Sequence, residues 1–221
     1  MRDLLQSALT AIPEDFFHRL EERMTLCTAS AYEQAARTPP ETPAHRMRLG
    51  TTRYFERGEA FRLSAEDVGM RYRYEQVNTH AFVLAASGHF LITHAKIDHW
   101  GDPIEQKEYK QALALHNPSD SEPLPLPPTA DPANPFLGIV VVLYARPGTG
   151  QDETLPMRLG FGIPTRDLRG WHLLKTLDQL FAAYADLHQR PLDRARPQLR
   201  AQQEQAEYAD RTAARSRLHH G

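Results

Sequence analysis

Residues 70–98 read MRYRYEQVNTHAFVLAASGHFLITHAKID, and this stretch decides the fold. Three runs rich in aromatic and β-branched residues are separated by short turn candidates at Asn78-Thr79 and Ser87-Gly88. This is the pattern of a three-stranded meander. The middle run, AFVLAAS, is apolar on both faces, so we expect a central strand that is covered on both sides.

Two further strands and a helix are predicted after the meander. The runs FLGIVVVLYA at 136–145 and MRLGFGI at 157–163 have strand composition and are joined by a polar loop. Residues 171–188 carry leucines and aromatic residues at helical spacing, which predicts an amphipathic helix packed on the sheet.

Helices are predicted before the meander. Residues 13–37 place apolar side chains every three or four positions after Pro13, which suits a first helical turn. Thr42 is a candidate N-cap for a second helix that reaches about Arg57. Together with a short helix at 105–115, the pattern indicates an α+β fold: N-terminal helices, an antiparallel sheet of about five strands and a C-terminal helix.

Proline and arginine mark the boundaries of the predicted domain. Residues 117–135 contain seven prolines, a density that excludes helix and central strand. We interpret this segment as a long loop within a single domain of residues 1–188, because either half alone would expose an apolar face. Residues 189–221 are polar and Arg-rich, and we expect a helical or disordered tail there.

Composition excludes several protein classes. The 221 residues carry a net charge of −2 and contain no apolar run near the roughly 18 residues that span a bilayer. The single cysteine, Cys27, excludes an internal disulfide framework and a multi-cysteine metal site. We therefore expect a soluble, cytoplasmic protein that does not interact with membranes.

The net charge hides alternating blocks. Residues 44–74 and 189–221 each have a net charge of +3, whereas residues 1–43 have −3 and residues 75–188 have −5. The positive blocks owe their charge to arginine, which binds phosphates and stacks on aromatic rings. The first block is interleaved with aromatic residues, and we predict that it contacts nucleic acid or another polyanion. The arginines assigned to this contact are Arg46, Arg48, Arg53, Arg57, Arg71 and Arg73.

A second set of residues suggests catalysis. His94, Lys96 and Asp98 alternate along a predicted strand and so share one face, where they could perform acid–base work. The set Asp98, Asp102, Glu105 and Lys107 also resembles the carboxylate–carboxylate–lysine set of the PD-(D/E)XK nucleases, although one triplet does not make the chain a member. In this hypothesis Asp98 and Glu105 would hold Mg²⁺.

No common catalytic signature is present, so the leading hypothesis is a non-catalytic binding or regulatory protein. Its partner would be a protein or a nucleic acid, and no cofactor or metal is expected. One alternative is a Mg²⁺-dependent phosphodiesterase or nuclease that uses His94, Lys96, Asp98, Glu105 and Lys107. Another is a protein inhibitor or a subunit of a larger complex.

Overall fold

The computed structural model describes residues 2–77, 80–118, 135–145 and 150–189. Its helices are α1 (Arg2–Ala11), α2 (Glu14–Ala35), α3 (Pro43–Asp67), α4 (Glu108–Leu113), which a 3₁₀ turn (Ala114–His116) extends, and α5 (177–189). The strands are β1 (Arg71–Val77), β2 (His80–Ser87), β3 (Phe90–Ile97), β4 (Phe136–Tyr144), β5 (Pro156–Pro164) and β6 (Trp171–Thr176). The α+β class and the N-terminal helices are confirmed.

The sheet differs from the predicted one in strand number and direction. Six strands lie in the order β1-β2-β3-β4-β5-β6. Every neighbouring pair is antiparallel except β3 and β4, which are parallel. The prediction of a purely antiparallel sheet of about five strands is therefore wrong. The connection between β3 and β4 is long enough for a crossover, and a parallel neighbour requires one.

The predicted helix at 171–188 is wrong at its start. Residues Trp171–Thr176 form β6, which pairs with β5, and helical structure begins only at residue 177. The edge of β5 offers backbone hydrogen bonds to this segment, and that pairing overrides its helical spacing. The second predicted helix is also longer than expected, since α3 continues past Arg57 to Asp67.

The sheet is covered on both faces. On one face, a chain of edge-to-face ring contacts joins Phe16, Phe17 and Phe61 on α2 and α3 to Phe90 and Phe161 on the sheet. On the other face, aliphatic residues of β3 and β4 pack against the segments that follow β3 and β5. Alternation along β3 therefore turns even-numbered residues such as Phe90 toward the α2–α3 layer.

The chain divides into two compact units, residues 1–180 and a second that begins at residue 181. Helical residues 181–189 are the described part of the second unit. Residues 119–134 of the Pro-rich segment predicted at 117–135, and residues 190–221 of the tail predicted at 189–221, lie outside the described residues. The single-domain boundary stays a prediction. Among the described residues, no helix has both the length and the apolar character needed to cross a membrane.

Candidate ligand-binding site

Two arginines of α3 are buried rather than exposed. Arg53 and Arg57 lie one turn apart and are 7% and 6% exposed. They occupy the stripe of α3 that also buries Leu49 and Phe61, so their guanidinium groups are carried into the interface between helix and sheet. The predicted polyanion surface is thereby divided: Arg46, Arg48, Arg71 and Arg73 are exposed, whereas Arg53 and Arg57 are not.

His94 of β3 meets Arg57 in this interior. Arg57 Nε donates a hydrogen bond of 2.9 Å to His94 Nδ1. Because a guanidinium can only donate, Nδ1 is the acceptor, and the ring proton of the neutral imidazole is on Nε2. Burial lowers the pKa of His94 well below its usual value, and the charges of Arg57 and Lys110 lower it further. His94 is therefore neutral, with an N–H donor at Nε2.

Three buried polar atoms near Arg57 have no hydrogen-bond partner. They are Arg53 Nε, His94 Nε2 and Tyr144 Oη, and they are the only such side-chain atoms among the described residues. The Arg53 guanidinium lies 4.6 Å above the Tyr144 ring centroid, and its Nη2 donates to the Glu153 carbonyl. Each unpartnered buried polar group lowers the stability of the folded state by about 1–3 kcal/mol. The occurrence of three such groups near one residue therefore calls for an explanation.

Lys110 of α4 adds a third buried cation. It is 6% exposed, and its ammonium lies 5.9 Å from the centroid of the Tyr109 ring. Within the described part of the chain the ammonium makes no hydrogen bond or ion pair. Burial lowers the pKa of Lys110 to about 8; Lys107 and Arg57 lower it further, and Glu105 acts in the opposite direction. We call Arg53, Arg57, His94, Lys110 and Tyr144 the cationic cluster.

The cationic cluster has no buried counter-charge. No aspartate or glutamate is among the buried side chains of the residues that the structure describes. Tyr144 does not supply a negative charge either, because burial raises the pKa of its hydroxyl despite the opposing effect of Arg57 and Arg53. Buried charges in proteins are ordinarily paired. An excess of buried positive charge thus favours a negatively charged ligand.

A cavity of about 300 Å³ opens beside His94. Its walls are mostly aromatic and apolar, and its lining residues are Tyr54, Phe55, Gly58, Glu59, Tyr74, Ala81, Phe82, Val83 and His94. We call it the aromatic cavity. Tyr54 Oη donates to the Ala81 carbonyl at 2.7 Å, which ties the α3 wall to β2. Phe55 and Tyr74 at its rim are 64% and 62% exposed.

The aromatic cavity lies where two strands part. The β2–β3 ladder contains only three residue pairs and ends at Ala85↔Ile92, whereas β1 and β2 pair along seven. Just beyond this end, Thr93 Oγ1 donates to the Val83 carbonyl at 2.9 Å. His94 is the next residue, and alternation along β3 turns its side chain toward α3, where it lines the cavity.

Gly58 leaves room next to the unpartnered nitrogen. A β-carbon built on Gly58 would lie 3.4 Å from His94 Nε2 and 3.9 Å from Cε1, with no other atom within 4 Å apart from those of its own stretch of α3. A glycine inside a helix costs roughly 0.5–1 kcal/mol relative to alanine. Gly58 therefore destabilises the middle of α3, and it does so at the position where a side chain would lie against Nε2.

The residues proposed for catalysis do not form one hydrogen-bonded set. Lys96 Nζ pairs with Asp98 Oδ1 at 2.9 Å at the exposed end of β3, and Lys107 Nζ lies 3.4 Å from Glu105 Oε2. His94 makes no hydrogen bond to any of them. In the part of the chain that the structure describes, no group of three or more His, Cys, Asp and Glu side chains is arranged to hold a metal.

Sequence reasoning found part of this site. It singled out His94, Arg53 and Arg57, but in two separate hypotheses, and it missed Lys110 and Tyr144. The usable signal was positional: both arginines fall on the apolar stripe of α3, where a charged side chain is unexpected. A larger groove of about 780 Å³ between α2 and β5 contains none of the unpartnered buried atoms.

Comparison with known proteins finds no relative: no family model, no curated protein and no solved structure matches the chain.

Proposed function

We propose that the protein is a non-catalytic binding protein for a small molecule that carries a negative charge, with the cationic cluster as its receptor. The observation that carries the proposal is the positive charge of Arg53, Arg57 and Lys110, three buried side chains that no buried carboxylate accompanies among the described residues. A bound anion would supply the missing counter-charge. It would also accept a hydrogen bond from an unsatisfied donor of the cluster such as His94 Nε2–H, and such a bond is stronger to a charged acceptor than to a neutral one.

The location of the charge favours a small ligand over a polymer. The phosphates of a nucleic acid are bound by exposed side chains that follow its backbone. Arg53 and Arg57 are enclosed between α3 and the sheet, and Arg73 is already paired with Glu75 at 2.7 Å. Contact of a polyanion with the exposed arginines stays a separate prediction. It would not involve the buried ones.

Inorganic phosphate is the first probe of the proposal. A ligand that binds only the folded state stabilises it by RT ln(1 + [L]/Kd). Phosphate should therefore raise the unfolding temperature of the wild type in a saturable manner, relative to chloride at equal ionic strength. Lys110→Met should abolish the increase, because it removes one of the buried charges that attract the anion.

The matched control is Lys96→Met, which removes an exposed lysine that is paired with Asp98. This variant should respond to phosphate as the wild type does. An equal response of Lys110→Met and the wild type would show that phosphate acts at another place, and the proposal would then be abandoned. The double variant Arg46→Gln with Arg48→Gln should also keep the response, since both arginines are exposed.

A further inference from the structure

Resting on the proposed function, we infer that the ligand is an aryl anion: an aromatic ring bearing a carboxylate or phosphate, with the ring in the aromatic cavity and the anionic group at His94 Nε2. The cationic cluster alone accounts only for a charge. The size, walls and exposed rim of the aromatic cavity indicate the shape and chemistry of the rest of the ligand.

The walls fit a flat aromatic group. Phe55 and Tyr74 leave most of their surface in water although both border the cavity, and a ring between them would cover that surface. Tyr54 and Phe55 form an edge-to-face pair with centroids 5.4 Å apart, which fixes the α3 side of the cavity. Aromatic pairs favour edge-to-face and offset geometries. A volume of about 300 Å³ is at the small end of ligand sites and suits one ring with a short substituent.

His94 determines the orientation in which the ligand binds. Arg57 donates to Nδ1, and its charge polarises the imidazole so that Nε2–H becomes a stronger donor. An anionic oxygen accepting from Nε2–H would therefore be stabilised by the guanidinium behind the ring as well as by the hydrogen bond. Nε2 has no contact with solvent in the ligand-free structure, so an oxygen that accepts from Nε2–H would enter between His94 and α3, at the point where Gly58 presents no side chain.

The one carboxylate on the cavity wall does not oppose an anion strongly. Glu59 accepts from both Nε and Nη2 of Arg62, at 2.9 and 2.5 Å. These bonds lower the pKa of Glu59 and keep it ionised, but they also neutralise its charge locally and hold it toward the exposed side of α3. The wall that faces His94 is thus left without a free negative charge.

Calorimetric titration with three probes tests the assignment: phenyl phosphate, inorganic phosphate and cyclohexyl phosphate. Phenyl phosphate should bind at least about tenfold more tightly than inorganic phosphate, which corresponds to about 1.4 kcal/mol. Cyclohexyl phosphate should recover only part of that gain, because it offers apolar surface without an aromatic face. Phe55→Ala and Tyr74→Ala change side chains that are mostly exposed, and each should reduce the phenyl gain severalfold.

Gly58→Ala and Gly50→Ala complete the experiment as a matched pair on one helix. A β-carbon at Gly50 meets nothing within 4 Å, whereas one at Gly58 fills the space beside Nε2. Phenyl phosphate should bind Gly50→Ala as it binds the wild type and Gly58→Ala at least tenfold more weakly. Equal affinity of the two variants would overturn the placement at His94.

The outcomes distinguish this inference from the function on which it rests. If inorganic phosphate binds in a Lys110-dependent manner and the phenyl group adds nothing, the anion site stands and the aryl assignment is wrong. If neither phosphate nor phenyl phosphate binds, both are wrong. If cyclohexyl phosphate binds as tightly as phenyl phosphate, the cavity selects apolar volume rather than an aromatic ring, and the assignment of an aryl group fails.

Discussion

Replacing Lys110 with methionine should stabilise the ligand-free protein. Lys110 is 6% exposed and its side chain makes no hydrogen bond or ion pair in the described chain, and methionine fills a similar volume without a charge. Such a lysine does not stabilise the folded protein, because its charge is buried without a counter-charge. In a binding site the same charge is useful because it attracts an anionic ligand.

The magnitude follows from the pKa of Lys110. Folding lowers this pKa from 10.5 to about 8, and each unit of difference corresponds to about 1.36 kcal/mol. Below pH 8 the lysine is charged in both the folded and the unfolded state, and the full penalty of about 3 kcal/mol applies. Between pH 8 and 10.5 the folded state loses its proton first. The unfolded state then binds more protons, so the stability of the wild type rises with pH.

Urea unfolding at two pH values measures the difference in the free energy of unfolding between Lys110→Met and the wild type. Lys110→Met should be more stable than the wild type by about 3 kcal/mol at pH 7 and by only about 1.5 kcal/mol at pH 9.5. Other titrating groups are common to both proteins and cancel. Lys96→Met should lie within about 0.5 kcal/mol of the wild type at both pH values, because Lys96 is exposed. A variant less stable than the wild type at pH 7, or a difference independent of pH, would refute the reasoning.

Three further predictions concern other parts of the structure. Gly58→Ala and Gly50→Ala should each raise the free energy of unfolding of the ligand-free protein by about 0.5–1 kcal/mol in urea titrations. Both replace a glycine inside α3, and neither introduces a clash. A destabilised Gly58→Ala would mean that the space beside His94 is closed. Cys27 should react slowly with iodoacetamide at pH 8 in a timed thiol assay, since burial, followed by Glu56, raises its pKa to about 11; alkylation at the rate of an unfolded control would contradict this. The binding function predicts no Mg²⁺- or Mn²⁺-dependent hydrolysis of nucleic acid, and hydrolysis that Asp98→Ala abolishes would instead favour the nuclease alternative.

The elements that the sequence predicts well are those in which local pattern and tertiary contacts agree. α2 and the five predicted strands follow helical or alternating apolar patterns, and the structure forms them nearly as predicted. β6 fails because Leu173 and Leu174 fit a helical stripe that continues to Leu177. Only pairing with β5 makes them a strand. The prediction of antiparallel pairing between β3 and β4 is wrong for a similar reason. The direction of a strand depends on the path of the connection before it, and this connection has no periodic sequence pattern.

The candidate site illustrates a different limit. Arginine side chains are ordinarily solvated, so the sequence alone groups Arg53 and Arg57 with their exposed neighbours by residue type rather than by position on the helix. Their role depends on which side of α3 they occupy, and that becomes clear only when the whole apolar stripe to Asp67 is recognised. The contribution of Lys110 could not be predicted, because α4 reaches the cationic cluster through the crossover between β3 and β4.

The most direct test of the site is the nitrogen-15 NMR signal of the His94 imidazole during titration with phenyl phosphate. The account predicts a neutral ring with its proton on Nε2 near pH 7, as the hydrogen bond from Arg57 to Nδ1 requires. It also predicts that the Nε2–H resonance shifts saturably as the ligand binds, in the wild type and in Gly50→Ala but not in Gly58→Ala. A ring protonated on Nδ1, or an Nε2 resonance that phenyl phosphate does not move, would contradict it.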